Sequence, residues 1–291
     1  DYSHYGTAPR PRWKCLTVRV TGGYLREGDR ITIVFGDRSK GSPGMAMQTF
    51  VERQFEFKVI ADVCAVGHYL PIPNTPNISI VPSAGVTWHA VLPSLRRSGE
   101  RFQLGIKCED EWGNPTPLAQ GSFVFESTLV VDGLPEVFEY PLGEKSVTLE
   151  NLSVSESGTL RITVKDTSGV IVAESHPLKI REGQYAGYWG DLHGQSGESF
   201  GVTTSDEYFD FARNKAFLDV TSHQANDFQV NNAFWAHLNE LTASYQEDGR
   251  FVTFPGYEWS GNTAVGGDRN VFFRTEGRQI HRSSHALLSD R

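Results

Sequence analysis

Leu160-Arg161-Ile162-Thr163-Val164-Lys165-Asp166-Thr167-Ser168-Gly169-Val170-Ile171-Val172 reads as a β-hairpin. Apolar and polar residues alternate with a period of two, and β-branched residues dominate both arms. Between them Asp166 and Gly169 supply the turn. A hairpin of this kind belongs near the end of an immunoglobulin-like module. It therefore sets the fold class for everything upstream.

Working toward the N-terminus, the same alternation recurs in short runs between Gly, Pro, Asn and Asp. Leu16-Thr17-Val18-Arg19-Val20, Ile31-Thr32-Ile33-Val34-Phe35 and Phe55-Glu56-Phe57-Lys58-Val59 are examples. Tyr69-Leu70-Pro71-Ile72-Pro73-Asn74-Thr75-Pro76 is expected as a loop or sheet edge, because proline has no donor for a central ladder. The segment Leu95-Arg96-Arg97-Ser98-Gly99-Glu100 reads as a boundary. Phe102-Gln103-Leu104-Gly105-Ile106-Lys107-Cys108 then restarts the alternation, followed by the turn Asp110-Glu111-Trp112-Gly113-Asn114-Pro115. The expected divisions are a β-rich domain over 1–99 and an immunoglobulin-like β-sandwich over 100–182.

Toward the C-terminus the period changes after Gly183. Thr204-Ser205-Asp206-Glu207 is an N-cap with acids in the first turn, and Tyr208, Phe209, Ala212 and Ala216 recur at helical spacing, predicting a helix over 205–217. Leu218-Asp219-Val220-Thr221 is a short strand, 233–247 a second helix closed by Gly249 at C′, and Phe251-Val252-Thr253-Phe254 the next strand. Strand, helix, strand, helix, strand over about 70 residues predicts an α/β region with a parallel sheet from 183 onward, its chemistry at the carboxyl ends of the strands. The fold class is thus multidomain, β followed by α/β.

Composition bounds the function. The 291 residues carry a formal net charge of −8, and no Lys/Arg run exceeds a pair, so nucleic acid is not an expected partner. No apolar run of 18 or more residues encodes a membrane span, and nothing at the start reads as a basic n-region before an apolar h-region. Cys15, Cys64 and Cys108 lack metal spacing and are expected as buried small hydrophobes. Trp88 and Trp112 are expected in the sandwich core, and Trp189 and Trp259 as packing near the strand-end site.

Three strand ends collect groups that do chemistry. Gly190-Asp191-Leu192-His193-Gly194-Gln195-Ser196-Gly197 puts Asp191, His193 and Gln195 on one side of an extended chain. Thr221-Ser222-His223-Gln224-Ala225-Asn226-Asp227 and Pro255-Gly256-Tyr257-Glu258-Trp259-Ser260 follow at the next two ends. A lone strand-end histidine is more often a hydrogen-bonded core or surface residue, and Glu258 has Arg269 available as an ion-pair partner. The convergence of His, His, Asp and Glu is what suggests a ligand set for Zn, Mn or Fe with an open position for water.

Gly190-Asp191-Leu192-His193, Leu218 to His223, Gly256 to Gly261 and Gly266-Gly267-Asp268-Arg269-Asn270-Val271 together resemble the PHP superfamily of metal-dependent phosphoesterases, in its uncharacterised branch with β-rich segments ahead of the PHP-like domain. The resemblance implies a distorted (β/α) barrel, of which 183–291 would be the first part, with further ligands beyond residue 291. It implies a divalent metal (Zn, Mn or Fe) held by His193, His223 and Glu258, with Asp191 and Asp268 as further ligands, and hydrolysis of a phosphate ester or related small anionic substrate by metal-activated water. Asp227 would act as base, Arg269 would steady the leaving anion, and Gln195 and Asn226 would bind substrate. Gln195 and Ser222 depart from the pattern, which has His and Asp there. They favour the alternative, a non-catalytic β-sandwich binding protein with a degenerate PHP-like domain.

Overall fold

The structure, a computed structural model, describes residues 2–3, 15–183, 185–261 and 267–283. It divides into two compact units, Asp1–Thr49 and Phe50–Arg291. In the first unit Tyr2–Ser3 pairs antiparallel with Cys15–Leu16, and the remaining described residues are irregular. The strands expected at 16–20 and 31–35 therefore do not form as read. Val18, Val20, Ile31, Ile33 and Phe35 stand about half exposed, and alternation without a layer to bury against does not make a stable strand.

The second unit opens with two small antiparallel pairs, Glu52–Glu56 with Asn77–Ile80 and Ile60–Ala61 with Leu70–Pro71. The Pro-rich segment thus serves as an edge. A β-sandwich follows. One sheet has the order Val137–Tyr140, Gly121–Ser127, Ile162–Asp166, Ile171–Glu174, and the other Val147–Leu152, Phe102–Glu109, Thr87–Val91, all antiparallel. A third sheet joins Gly158–Leu160, Leu178–Arg181 and Leu95–Arg97, the last pair parallel. Two strands from before residue 100 are therefore part of the sandwich. In register, Trp88 lies opposite Cys108 and Ala90 opposite Ile106.

The sandwich core is apolar. Leu104, Leu152, Leu160, Ile162 and Leu178 are fully buried, each contributing on the order of 1.5–3 kcal/mol by leaving water. Trp88 stands edge-on to Phe123 at 4.8 Å and to Tyr140 at 4.9 Å between ring centroids, bridging the sheets. The hairpin at 160–172 forms as expected. Asp166 Oδ1 accepts from Ser168 N and Val170 N, and Gly169 takes φ +87° in the turn. Trp112, expected in the core, is instead 59% exposed, because it sits on the Asp110 turn outside both sheets. Cys108 is buried, whereas Cys64 is exposed in a turn built on Asp62. The Cys15 side chain lies outside the described residues.

In the α/β region, Gly190–Gly194, Val220–His223 and Val252–Thr253 form a parallel sheet of three strands. Helix α1 spans Ser205–Asn214. Thr204 caps it in a capping box with Glu207, and Asp206 and Glu207 oppose the helix dipole. It stops short of the expected 217 because Phe217 turns to φ +56°. Helix α2 spans Asn232–Tyr245 under an Asn231 cap. Gly249 does not close it; Gln246 does, and Gly249 serves the turn that pairs Glu247 with Phe251.

Gly256–Trp259 pairs antiparallel with Arg269–Phe272. Among its described residues, then, the region after Gly183 has two helices and a short open sheet with an attached hairpin, and no barrel is seen. None of these helices is long and apolar enough to cross a membrane.

Candidate functional site

The parallel register places Gly194 opposite His223, and a bridge between Asn226 and Glu258 brings the hairpin alongside. The backbone is tight here. A Cβ on Gly194 would lie 2.2 Å from the Tyr208 ring, whose hydroxyl meets Thr221 Oγ1 at 2.6 Å.

His193 and Glu258 form the centre of the cluster. Asn270 Nδ2 donates to Leu192 O at 2.9 Å, which orients that amide and leaves Asn270 Oδ1 facing His193 Nδ1 at 2.8 Å. Nδ1 therefore donates to Asn270, and His193 Nε2 faces Glu258 Oε2 from 3.9 Å away. That gap is too wide for a hydrogen bond. Gln195 is oriented in the same manner: Oε1 accepts from Phe200 N at 3.2 Å, so Nε2 donates to Glu258 Oε2 at 2.8 Å. Burial pushes the Glu258 carboxyl above its ordinary range, and Asp268 adds to the rise, while His193 and Asn226 act against it.

The other candidate side chains are committed elsewhere. Asp191 turns back to accept from His193 N at 2.9 Å. Asp227 is fully buried, accepting from Ser260 N at 3.0 Å and from Ser283 N. Asn226 Nδ2 donates to Ser260 Oγ at 2.7 Å. Asp268 is exposed beside Glu258. Arg269, expected to meet an anion or Glu258, lies over the Trp259 ring at 5.5 Å and donates to Gly267 O.

His223 is 2% exposed, edge-on to Tyr208 and Phe234, with Nε2 2.8 Å from Ser196 Oγ. Its Nδ1 is buried with no hydrogen-bond partner among the described residues. Burial pushes its pKa down to about 4, against the pull of Glu198. The Ser196–His223 pair has the spacing of an activated nucleophile and its base. However, Ser196 is fully buried and also bonded to Glu198, so no substrate reaches its hydroxyl.

Among the described residues no group of three or more His, Cys, Asp and Glu side chains is arranged to hold a metal ion. His193, Glu258 and the exposed Asp268 beside them do not converge on one point as the three protein ligands of a catalytic zinc centre do. As placed, these side chains do not fit a divalent ion.

Sequence reading passed over Asn270 and Ser199, which orient His193 and Gln195. Neither residue type is distinctive alone, and only the pairing of Glu258 with Asn270 in register would have pointed to the first. The loop between Gln195 and helix α1 carries strain. Thr203 holds φ +64°, unusual for a β-branched residue, while its carbonyl accepts from Gly197 N at 2.6 Å. Thr203→Gly is expected to raise the unfolding free energy by about 1 kcal/mol, relief of the left-handed strain outweighing glycine's extra chain entropy. Urea denaturation checks this, and a loss of stability would show that the strain is not held at that residue.

A family model described as "Protein of unknown function (DUF3604)" matches residues 176–287. An uncharacterised protein of Chlamydia pneumoniae is 27% identical over 87% of this chain and 42% of its own length, and one of Chlamydia trachomatis is 24% identical over 89% and 45%. The chain thus spans under half the length of these curated relatives.

Among solved structures, the Escherichia coli adhesin FdeC is 17% identical over 45% of this chain and 41% of its own, with a TM-score of 0.27. The PKD domain of an M14-like peptidase from a Thermoplasmatales archaeon is 13% identical over 35% of this chain and all of its own, with a TM-score of 0.23. The CARDB domain of a Pyrococcus furiosus protein is 15% identical over 35% and 92%, with a TM-score of 0.22. Likeness at this level carries no argument about function.

These findings overturn the resemblance to the PHP superfamily. Over the residues that carried it the matching model is that of DUF3604, of unknown function, and the relatives that span most of the chain are uncharacterised.

Proposed function

We propose that this chain is a non-catalytic binding protein whose working part is the β-sandwich together with its seam against the α/β region. The observation that carries this reading is where the hollows lie. Two adjoining hollows, of about 690 and 470 Å³, are lined by sandwich residues 91–96 and 176–181, joined by Trp189 and residues 216–219. Asp191, Asp227 and Glu258 are by contrast tied to backbone amides or to Gln195, and His223 is closed inside the fold against Ser196. A buried group already satisfied inside the fold has little left to offer a substrate.

A second reading is a metal-dependent hydrolase of a phosphate ester or related small anion. One observation favours it: His193 Nε2 and the Glu258 carboxylate face each other across 3.9 Å with Asp268 beside them. The two readings part on metal content. The chain is loaded in turn with Zn, Mn and Fe, dialysed, and measured by elemental analysis. The binding reading expects far less than one ion per chain, unchanged in Glu258→Gln. About one ion per chain, lost in both Glu258→Gln and His193→Ala, would overturn it in favour of the hydrolase.

A further inference from the structure

The two hollows meet at Ser94 and Lys179, which line both. The larger is walled by Leu92, Pro177, Trp189 and Phe217. Its volume of about 690 Å³ falls within the size range of small-molecule sites. The walls are held in place. Trp189 Nε1 donates to Ser94 Oγ at 2.5 Å, and the Phe217 ring sits so close over Gly105 that a Cβ there would lie 2.6 Å from it. A hollow that is already formed loses little order when filled.

The charge along one side is specific. Strand Leu178–Arg181 alternates, burying Leu178 and Ile180 in the sandwich core and turning Lys179 and Arg181 outward to the hollows. In a chain of net charge −8, no acid pairs with either cation among the described residues. The acid that lines the larger hollow, Asp219, is already taken by Arg96 at 2.9 Å and by Trp189 N at 2.8 Å. The seam therefore presents an apolar chamber with two uncompensated cations at one end.

We infer that this seam binds a small amphipathic carboxylate, its apolar body in the larger hollow and its carboxylate at Lys179 and Arg181. The inference rests on the sandwich being the working part of the chain. A neutral amphiphile would leave both cations unanswered, and a compact inorganic anion would leave the apolar walls facing water.

The test uses decanoate and 1-decanol, titrated against the full chain by saturation-transfer NMR. Decanoate is expected to bind saturably and more tightly than 1-decanol. The double variant Lys179→Gln, Arg181→Gln is expected to weaken decanoate roughly tenfold and leave 1-decanol unchanged, since a charge-assisted contact is worth about that factor. Ala216→Trp, which fills the larger hollow, is expected to abolish both, with circular dichroism confirming that each variant is folded.

Equal affinity for the two amphiphiles would overturn the carboxylate assignment while leaving the hollow as a site. Decanoate binding untouched by both variants, or no saturable binding at all, would overturn the site itself. Failure of the non-catalytic reading is seen separately, in retained metal.

Discussion

Arg96→Ala is expected to lower the unfolding free energy by about 3–5 kcal/mol, the loss typical of breaking a buried ion pair from one side. Arg96 and Asp219 side chains are 7% and 14% exposed and meet at 2.9 Å across the seam. The guanidinium also donates to Gly187 O at 2.6 Å and to Leu95 O at 3.0 Å, and lies 4.7 Å from the centre of the Tyr188 ring. Truncation takes from Gly187 O its side-chain donor and from a nearly buried carboxylate its charge partner, while Leu95 O keeps its bond from Gly187 N. Arg96→Lys is expected to recover little, because an ammonium cannot span the same fork of acceptors. The double change Arg96→Met, Asp219→Leu should recover most of the loss, since no charge is then left unpaired. Urea unfolding at neutral pH reads all three. A loss below about 1 kcal/mol in Arg96→Ala would show that water reaches the pair, as it does at surface bridges.

That pair also shows where sequence reading ends. The hairpin at 160–172, the Asp110 turn and the N-cap at Thr204 were legible because each is a local matter, a few residues whose backbone demands match their types. The seam was not. Leu95-Arg96-Arg97 reads as a charged boundary, yet it is a strand lying parallel to Leu178–Arg181, and its guanidinium finds its partner 123 residues away. No periodicity encodes that distance. The strand-end cluster was half legible. Glu258, His193 and Gln195 do come together, but spacing could not show that Asp191 turns back on its own loop, or that His223 and Asp227 are buried against Ser196 and Ser260. Ligand counting from sequence assumes that every acid and imidazole at a strand end faces the same point. Here Gly256–Trp259 pairs as an antiparallel hairpin, and that assumption fails.

Acid should destabilise the chain through His223. The folded-state pKa is pushed down to about 4, from an ordinary value of 6.5, with burial as its main cause. As pH falls below 6.5 the unfolded chain takes up the proton first, so stability that is full above that pH is lost progressively until about pH 4, by on the order of 3 kcal/mol. Protonation inside the fold is doubly opposed. The ring is 2% exposed, and a proton added at Nδ1 would have no acceptor among the described residues. Glu258 works in the opposite direction: its raised pKa favours the folded state as pH falls toward the ordinary carboxylate range, and this offsets part of the loss. The two are separated by His223→Gln, which keeps a donor for Ser196 and removes the titration. Between pH 7 and pH 4 the wild-type chain is expected to lose about 3 kcal/mol more than this variant by urea denaturation. Parallel slopes would mean that the folded chain protonates His223 freely, which requires water at Nδ1 and a more open pocket between Ser196, Tyr208 and Phe234.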